Sequence, residues 1–145
     1  MKIPQLSLFL ENKPGHLSAI CRTLADADIN ILTLSLADTE QFGILRLIID
    51  EWEKAKTVLE EAGFVANVTQ VVATEVEDRP GGMAQILEAI EDSETNIEYV
   101  YAFTFHRNDR AVLVFRFDDP DEAVKILQAK GINILDSVSL FRQEG

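Results

Sequence analysis

Two short turns in this sequence combine residue types that can hold a small charged molecule. Residues 12–17 read Asn-Lys-Pro-Gly-His-Leu, and residues 78–83 read Asp-Arg-Pro-Gly-Gly-Met. An amphipathic helical pattern follows each Pro-Gly pair, so each turn is expected to open a helix. The first N–H groups of a helix lack intrahelical partners and carry partial positive charge, which suits a carboxylate. Glycine also lets a ligand approach the backbone closely.

The first residue of each turn supplies a second kind of receptor. Asn12 or Asp78 could accept a hydrogen bond from an ammonium group. A carboxylate receptor beside an ammonium receptor fits a free amino acid. A single Pro-Gly turn would indicate only the start of a helix, because such turns are common. The exchange of asparagine for aspartate makes the two predicted sites unequal.

The two turns belong to an internal repeat. At an offset of 66 residues, Pro14-Gly15 falls on Pro80-Gly81, and Asn30-Ile31 falls on Asn96-Ile97. The offset becomes 68 in the second part of each copy, which two extra residues in the second hairpin would explain. A long repeat that occurs only twice indicates domain duplication rather than a solenoid. We therefore predict one domain over residues 1–70 and another over residues 71–145.

Each copy shows the pattern of a βαββαβ unit. In the first copy, strands are expected near residues 6–11, 30–36 and 43–50, with helices near His16–Ala27 and from Asp50 to Gly63. The turn between the two central strands is expected at residues 38–41. Asp50 with Glu53 has the spacing of a capping box. In the second copy, Asp118-Asp119-Pro120 is predicted to start the last helix.

This order predicts an α+β fold of two ferredoxin-like domains, each an antiparallel four-stranded sheet with both helices on one face. Residues 65–77 are expected to pass from the last strand of one copy into the first strand of the next. Domains of this size are marginal alone, and open sheet edges are a hazard. We therefore expect the two domains to pack side by side into one eight-stranded sheet with the helices on one face.

Composition excludes several classes of function. The formal net charge of -12 argues against nucleic-acid binding, which draws its affinity from clustered Lys and Arg. The single cysteine, Cys21, cannot form an internal disulfide or a thiolate metal site and is predicted to be a small core residue. We expect no metal and no cofactor. The sequence shows neither a signal peptide nor a membrane span, so a cytoplasmic protein that does not bind membranes is expected.

The two turns, together with Ile29-Asn30-Ile31 and Thr95-Asn96-Ile97, give the chain a specific resemblance. It is similar to tandem ACT-domain proteins, which carry the small-molecule-binding module of many amino-acid biosynthetic enzymes and regulators. The resemblance covers nearly the whole chain, because each of the two copies carries it. In such pairs an effector lies at the interface, between the loop of one domain and the polar residue that opens the second strand of its neighbour.

The resemblance implies two ligand-binding sites. The first would comprise Asn12, Pro14, Gly15, His16 and Leu17 with Asn96. The second would comprise Asp78, Pro80, Gly81, Gly82 and Met83 with Asn30. Residues that could contact the effector's side chain are Leu32, Leu34, Tyr99 and Tyr101. No catalytic residues are implied.

We therefore expect a regulatory sensor that binds a free amino acid and signals to a partner enzyme or to a second copy in a homodimer. One alternative is a structural adaptor subunit that binds no ligand. Another is a small enzyme of the ferredoxin-like class, although the only histidines are His16 and His106 and no nucleophile or acid-base pair is evident. An RNA-recognition module shares the element order, but its basic and aromatic signature is missing.

Overall fold

The computed structural model describes residues 2–11, 13–38, 42–91, 93–102 and 110–136. The four helices in these residues are α1 (His16–Asp26), α2 (Trp52–Glu61), α3 (Gly82–Ile90) and α4 (Pro120–Ala129). The seven strands are β1 (Ile3–Glu11), β2 (Thr33–Asp38), β3 (Phe42–Ile48), β4 (Ala66–Glu77), β5 (Ile97–Ala102), β6 (Arg110–Phe117) and β7 (Ile134–Leu135).

The chain divides into two compact units. We call Pro4–Thr69 the first unit, and Gln70–Gly145 together with Met1–Ile3 the second unit. Strand β4 begins in the first unit and continues into the second, as the sequence predicts for residues 65–77.

The first unit is an antiparallel sheet with both helices on one face. Its strand order is β2-β3-β1-β4, and the register pairs Leu8 with Leu45 and Leu36 with Leu45 on the other side. Alternate residues of β1 and β3 enter one core together with Ile20 of α1 and Leu59 of α2. Both helices therefore cover the same face of the sheet, because alternate residues of a strand point to one face and these apolar side chains all belong to that set.

The second unit repeats this arrangement with the order β5-β6-β4-β7. The register pairs Val72 with Phe115, and residues of α3 and α4 join the strands in one apolar core. Within that core the rings of Phe115 and Phe117 stack with centroids 5.3 Å apart. The α+β class and the ferredoxin-like order of each copy are confirmed.

The expected count of eight strands is corrected to seven in the described residues. The predicted last strand of the first copy and the predicted first strand of the second form one unbroken strand, β4. Its first part lies in the first unit's sheet, and its later part pairs with β6 and β7. The packing of the two units side by side stays a prediction.

Of the local predictions, one helix cap is confirmed, and the other cap and the core role of Cys21 are wrong. Asp119 caps α4, because its side chain accepts a hydrogen bond from the Glu122 N–H at 3.2 Å. The Asp50–Glu53 capping box is wrong: α2 is preceded by Glu51, and no side chain caps it. Cys21 is only half-buried and lies outside the core cluster, so its predicted core role is also wrong. The predicted turn residues 39–41 lie outside the described residues, as does His106.

Candidate functional site

The two predicted turns adopt the same backbone conformation. Gly15 directly precedes α1 with a φ of 94°, and Gly81 directly precedes α3 with a φ of 89°. These left-handed values are accessible to glycine at little cost and are unfavourable for most other residues. Glycine is therefore required at both positions by the turn itself, whether or not a ligand binds.

The hydrogen bonds of the turns also repeat at the offset of 66. In the first unit, Lys13 N donates to Glu11 O at 2.8 Å and Ala19 N donates to Gly15 O at 2.9 Å. In the second unit, the matching bonds join Arg79 N to Glu77 O at 2.9 Å and Gln85 N to Gly81 O at 3.1 Å. The duplication has thus kept the geometry of the turn as well as its Pro-Gly pair.

Both helices begin without a side-chain cap. The capping position of each is a glycine, and neither α1 nor α3 receives a capping hydrogen bond from a side chain in the described residues. No acidic residue lies in the first turn of either helix. The partial positive charge at each N-terminus is therefore not offset locally, which leaves it suited to an anionic group of a ligand.

An ion pair spans the base of each turn. Lys13 Nζ lies 2.8 Å from Glu11 Oε2, and the Arg79 guanidinium pairs with Glu77 in the same way. The hydrogen bond from Lys13 and its charge hold the pKa of Glu11 below its usual value. Arg79 lowers the pKa of Glu77 by the same two effects. All four side chains are largely exposed, so these pairs contribute little to stability.

The turns differ at the first residue of the helix. In the first unit, His16 Nδ1 accepts a hydrogen bond from Glu11 N at 3.2 Å. In the second unit, Gly82 is buried and a Cβ atom there would meet the Glu77 carbonyl oxygen. His16 thus closes the first turn from its side chain, whereas the second turn closes by direct backbone approach.

A cavity of about 470 Å³ opens beside the first turn. Pro14, Gly15 and Leu17, which were predicted to bind a ligand, contribute to its lining. The described residues that complete the lining are Leu10, Glu11, Lys13, Leu36 and Gly43. The cavity therefore joins an uncapped helix N-terminus to an apolar wall, which is the usual composition of a small-molecule site.

Sequence reasoning missed five residues of this cavity, and two of them, Leu36 and Gly43, are distant from the turn in sequence. Leu36 and Gly43 line it, whereas the predicted side-chain contacts Leu32 and Leu34 are not among its described lining residues. A Cβ atom at Gly43 would lie 3.1 Å from Leu36 Cδ1, so the glycine keeps this part of the cavity open. The alternation of β2 offered a partial signal, because Leu36 lies on the same face as Leu34.

The corresponding positions of the second unit are filled differently. Strand register places Ala102 of β5 at the position of Leu36, because Ala102 pairs with Leu113 as Leu36 pairs with Leu45. Ala111 takes the position of Gly43, since it pairs with Val76. Beside the second turn, Ala102 thus replaces the larger Leu36 side chain, and the methyl group of Ala111 lies where Gly43 has no side chain. This difference adds to the predicted inequality of the two sites.

The remaining predicted residues have varied surroundings. Asn96 is held within the second unit, where its backbone N–H donates to Asp118 Oδ1 at 2.9 Å and its Nδ2 lies 3.5 Å from Asp118 Oδ2. Asn30 and Asp78 are exposed, and Asn12 lies outside the described residues. Pro80 is exposed and Met83 packs against the core of the second unit.

The duplication of the turns and cores agrees with a known family of paired domains. The sequence profile of the ACT domain pair matches residues 1–142, nearly the whole chain. The chain belongs to the ACT domain pair family. An ACT domain pair is a regulatory module. No curated protein matches the sequence.

Solved structures agree with this ACT membership. Protein BT0572 from Bacteroides thetaiotaomicron is 35% identical, with a TM-score of 0.90, and the match covers 97% of this chain and 96% of that one. The ligand-free regulatory subunit of aspartate kinase from Thermus thermophilus is 16% identical, with a TM-score of 0.63 over 87% and 91% of the two chains. The regulatory subunit of aspartate kinase from Thermus flavus is also 16% identical, with a TM-score of 0.59 over 87% and 90%. At these low identities, the last two show a shared fold.

Two further observations concern membrane spans and metal sites. No helix in the described part of the chain is long and apolar enough to cross a membrane. Within the same described ranges, no group of His, Cys, Asp and Glu side chains is arranged to hold a metal ion.

Proposed function

We propose that this ACT domain pair is a regulatory protein that binds a free amino acid at its Pro-Gly turns. The observation that carries the proposal is the repetition of the whole turn, with positive-φ glycine, hydrogen bonds and ion pair, at the start of both α1 and α3. Family membership supports it, because the ACT domain pair is a regulatory module. The effector's carboxylate would bind at an uncapped helix N-terminus.

The effector at the first turn would have an apolar side chain. The cavity there is walled by Leu10, Leu17 and Leu36, and its charged members Glu11 and Lys13 neutralise each other. An apolar group placed against these leucines would be removed from water, which is favourable. The pairing of the first turn with Asn96, and of the second with Asn30, remains a proposal from the family resemblance.

Binding would signal to another polypeptide, a partner enzyme or a second copy of this chain. A ligand shifts only an equilibrium between states that something downstream distinguishes. The proposal therefore includes a partner whose affinity for this chain depends on whether the effector is bound. It does not include turnover of the effector by the chain itself.

The test is thermal unfolding of the full chain in the presence of each of the twenty amino acids. A ligand that prefers the folded state raises stability, by about 2.7 kcal/mol at about one hundred times its Kd. We expect a rise with amino acids that have apolar side chains. Asn12→Ala should abolish the rise at the first site, and Asp78→Ala serves as the matched change in the second turn.

A double variant tests the cavity itself. Leu36→Ala with Gly43→Ala gives the first unit the residues that the second unit has at Ala102 and Ala111. We expect this variant to fold and to lose its preference for large apolar effectors. Unaltered selectivity would refute the role of this cavity. If no amino acid raises stability, the regulatory proposal gives way to an adaptor without a ligand.

A further inference from the structure

A second cavity lies in the second unit, away from most of the predicted ligand-binding residues. This groove, of about 770 Å³, lies between α3, the start of β6 and the turn that follows α4. Of the residues predicted to bind an effector, only Gly82 is among its described lining residues. The polar side chains that line it are Glu75, Glu77, Gln85, Glu88, Arg110, Lys130 and Asn133.

The repeat shows which of these side chains the fold requires. Arg110 pairs with Glu77 across β6 and β4, and Phe42 pairs with Glu11 in the same register of the first unit. At the offsets of 66 and 68, six of the seven polar residues of the groove correspond to Phe9, Ala19, Arg22, Phe42, Ala62 and Val65, whereas Glu77 corresponds to Glu11. Since the same fold forms with those residues, the six polar side chains other than Glu77 are not needed to build it.

Part of the groove is a preformed polar floor. Asn133 Nδ2 donates to Glu75 Oε2 at 3.1 Å, and Arg110 Nη1 lies 3.8 Å from the same oxygen. Glu75 N also donates to Asn133 O at 3.0 Å. These contacts join β4, β6 and the segment before β7, so the floor keeps its shape without a ligand. The Glu75 charge is balanced by Arg110, and the charge of Glu77, which also lines the groove, is balanced by Arg79.

Two charges of the groove are not balanced in this way. Within residues 2–11, 13–38, 42–91, 93–102 and 110–136, the ammonium of Lys130 and the carboxylate of Glu88 form no ion pair. Gln85 lies three residues before Glu88 in α3, so the two side chains share one helix face. Among the described residues, the groove therefore offers an unpaired cation at the end of α4, together with an unpaired carboxylate and an amide from α3.

We propose that this groove binds a small zwitterion whose ammonium and carboxylate groups are separated by a short chain. Lys130 would bind the carboxylate, and Glu88 would bind the ammonium, with Gln85 as an added hydrogen-bonding partner. The groove has more room than a compact α-amino acid fills, and its charges come from α3 and from the end of α4. All of its described lining residues belong to the second unit, where it borders the Pro-Gly turn at Glu77 and Gly82, and the proposal uses neither Asp78 nor Gly81.

The experiment is calorimetric titration of the full chain with γ-aminobutyrate and ε-aminocaproate. Butyrate and butylamine serve as probes that carry only one of the two charges. We expect saturable binding of at least one zwitterion, and binding weaker by about tenfold or more for both single-charge probes. Lys130→Ala and Glu88→Gln should each weaken zwitterion binding by about tenfold or more.

The first unit supplies the matched control. Arg22→Gln changes the residue that corresponds to Glu88 and should leave zwitterion affinity unchanged. Amide shifts in an NMR titration should concentrate at residues 85–89 and 130–133. The proposal is overturned by the absence of saturable zwitterion binding, by equal affinity for butyrate or butylamine, or by retained affinity in both charge variants. Loss of binding in Asn12→Ala or Asp78→Ala alone would instead assign the zwitterion to the turns and also overturn it.

Discussion

A Cβ atom on Gly82 would collide with the backbone carbonyl oxygen of Glu77. It would also lie 3.0 Å from Val76 Cγ2, so both obstacles belong to the same strand. Because the nearest obstacle is backbone, a rotamer change cannot relieve the collision. The first unit carries His16 at this position, where the side chain accepts a hydrogen bond from Glu11 N. The two turns therefore share their hydrogen bonds but not their tolerance of a side chain.

Gly82→Ala should lower the free energy of unfolding by about 1–3 kcal/mol, since the added methyl group forces a backbone shift. His16→Ala, the matched change in the first unit, should cost about 1 kcal/mol or less because it removes one exposed hydrogen bond. Urea unfolding of both variants measures the difference. An equal cost for both would show that the close approach at Gly82 is not a constraint.

Lys13→Gln should raise the pKa of Glu11 towards its ordinary value of 4.5, because the hydrogen bond and charge of Lys13 lower it in the folded chain. A lowered pKa in the folded state means that the pair adds stability above the unfolded pKa and loses it as the pH falls through the folded pKa. NMR titration of the Glu11 carboxyl carbon measures the change. In the same variant the pKa of Glu77 should stay low, since Arg79 is intact.

Asp119→Ala should destabilise α4 by about 1 kcal/mol, because it removes the side chain that accepts from Glu122 N. Glu51→Ala is the matched control at an offset of 68, where no side chain caps α2. Native-state hydrogen exchange of the amides in each helix reports the local effect. A loss of protection in α2 as large as that in α4 would contradict the difference in capping.

Asp118→Ala should release the start of β5, because Asp118 Oδ1 accepts the hydrogen bond from Asn96 N. The expected cost is about 1 kcal/mol, as for one exposed bond to a charged group. Asp50→Ala changes the corresponding residue of the first unit and should have a smaller effect. Hydrogen exchange at the Asn96 amide is the direct measurement, and unchanged protection there would refute the role of Asp118.

The sequence alone determined the fold of each unit, since that depends on local periodicity. The 66-residue offset located both Pro-Gly turns, and the amphipathic pattern after each turn predicted the helix that follows it. The Asp119 cap was also readable, because a capping aspartate and a first-turn proline act over a few residues. These signals depend on neighbours in the chain, so a single sequence contains them.

Other features depend on neighbours that are distant in sequence. Two expected strands merge into β4, and no Gly or Pro in residues 66–77 marks where one would end and the other begin. The failure of Asp50 as a cap depends on where α2 begins, one residue later than the aspartate would require. Local pattern could not distinguish these outcomes, because the same residues fit either arrangement.

The sites show the same division between local and distant information. The sequence determined that Gly15 and Gly81 open two equivalent helices, because only glycine readily adopts their positive φ. Only the tertiary structure decided that Leu36 and Gly43 line the first cavity, and that Glu88 and Lys130 lie along one groove. Strand register and helix packing bring these residues together across distances that sequence spacing does not record, which is why the chemistry of a site emerges only when the chain is folded.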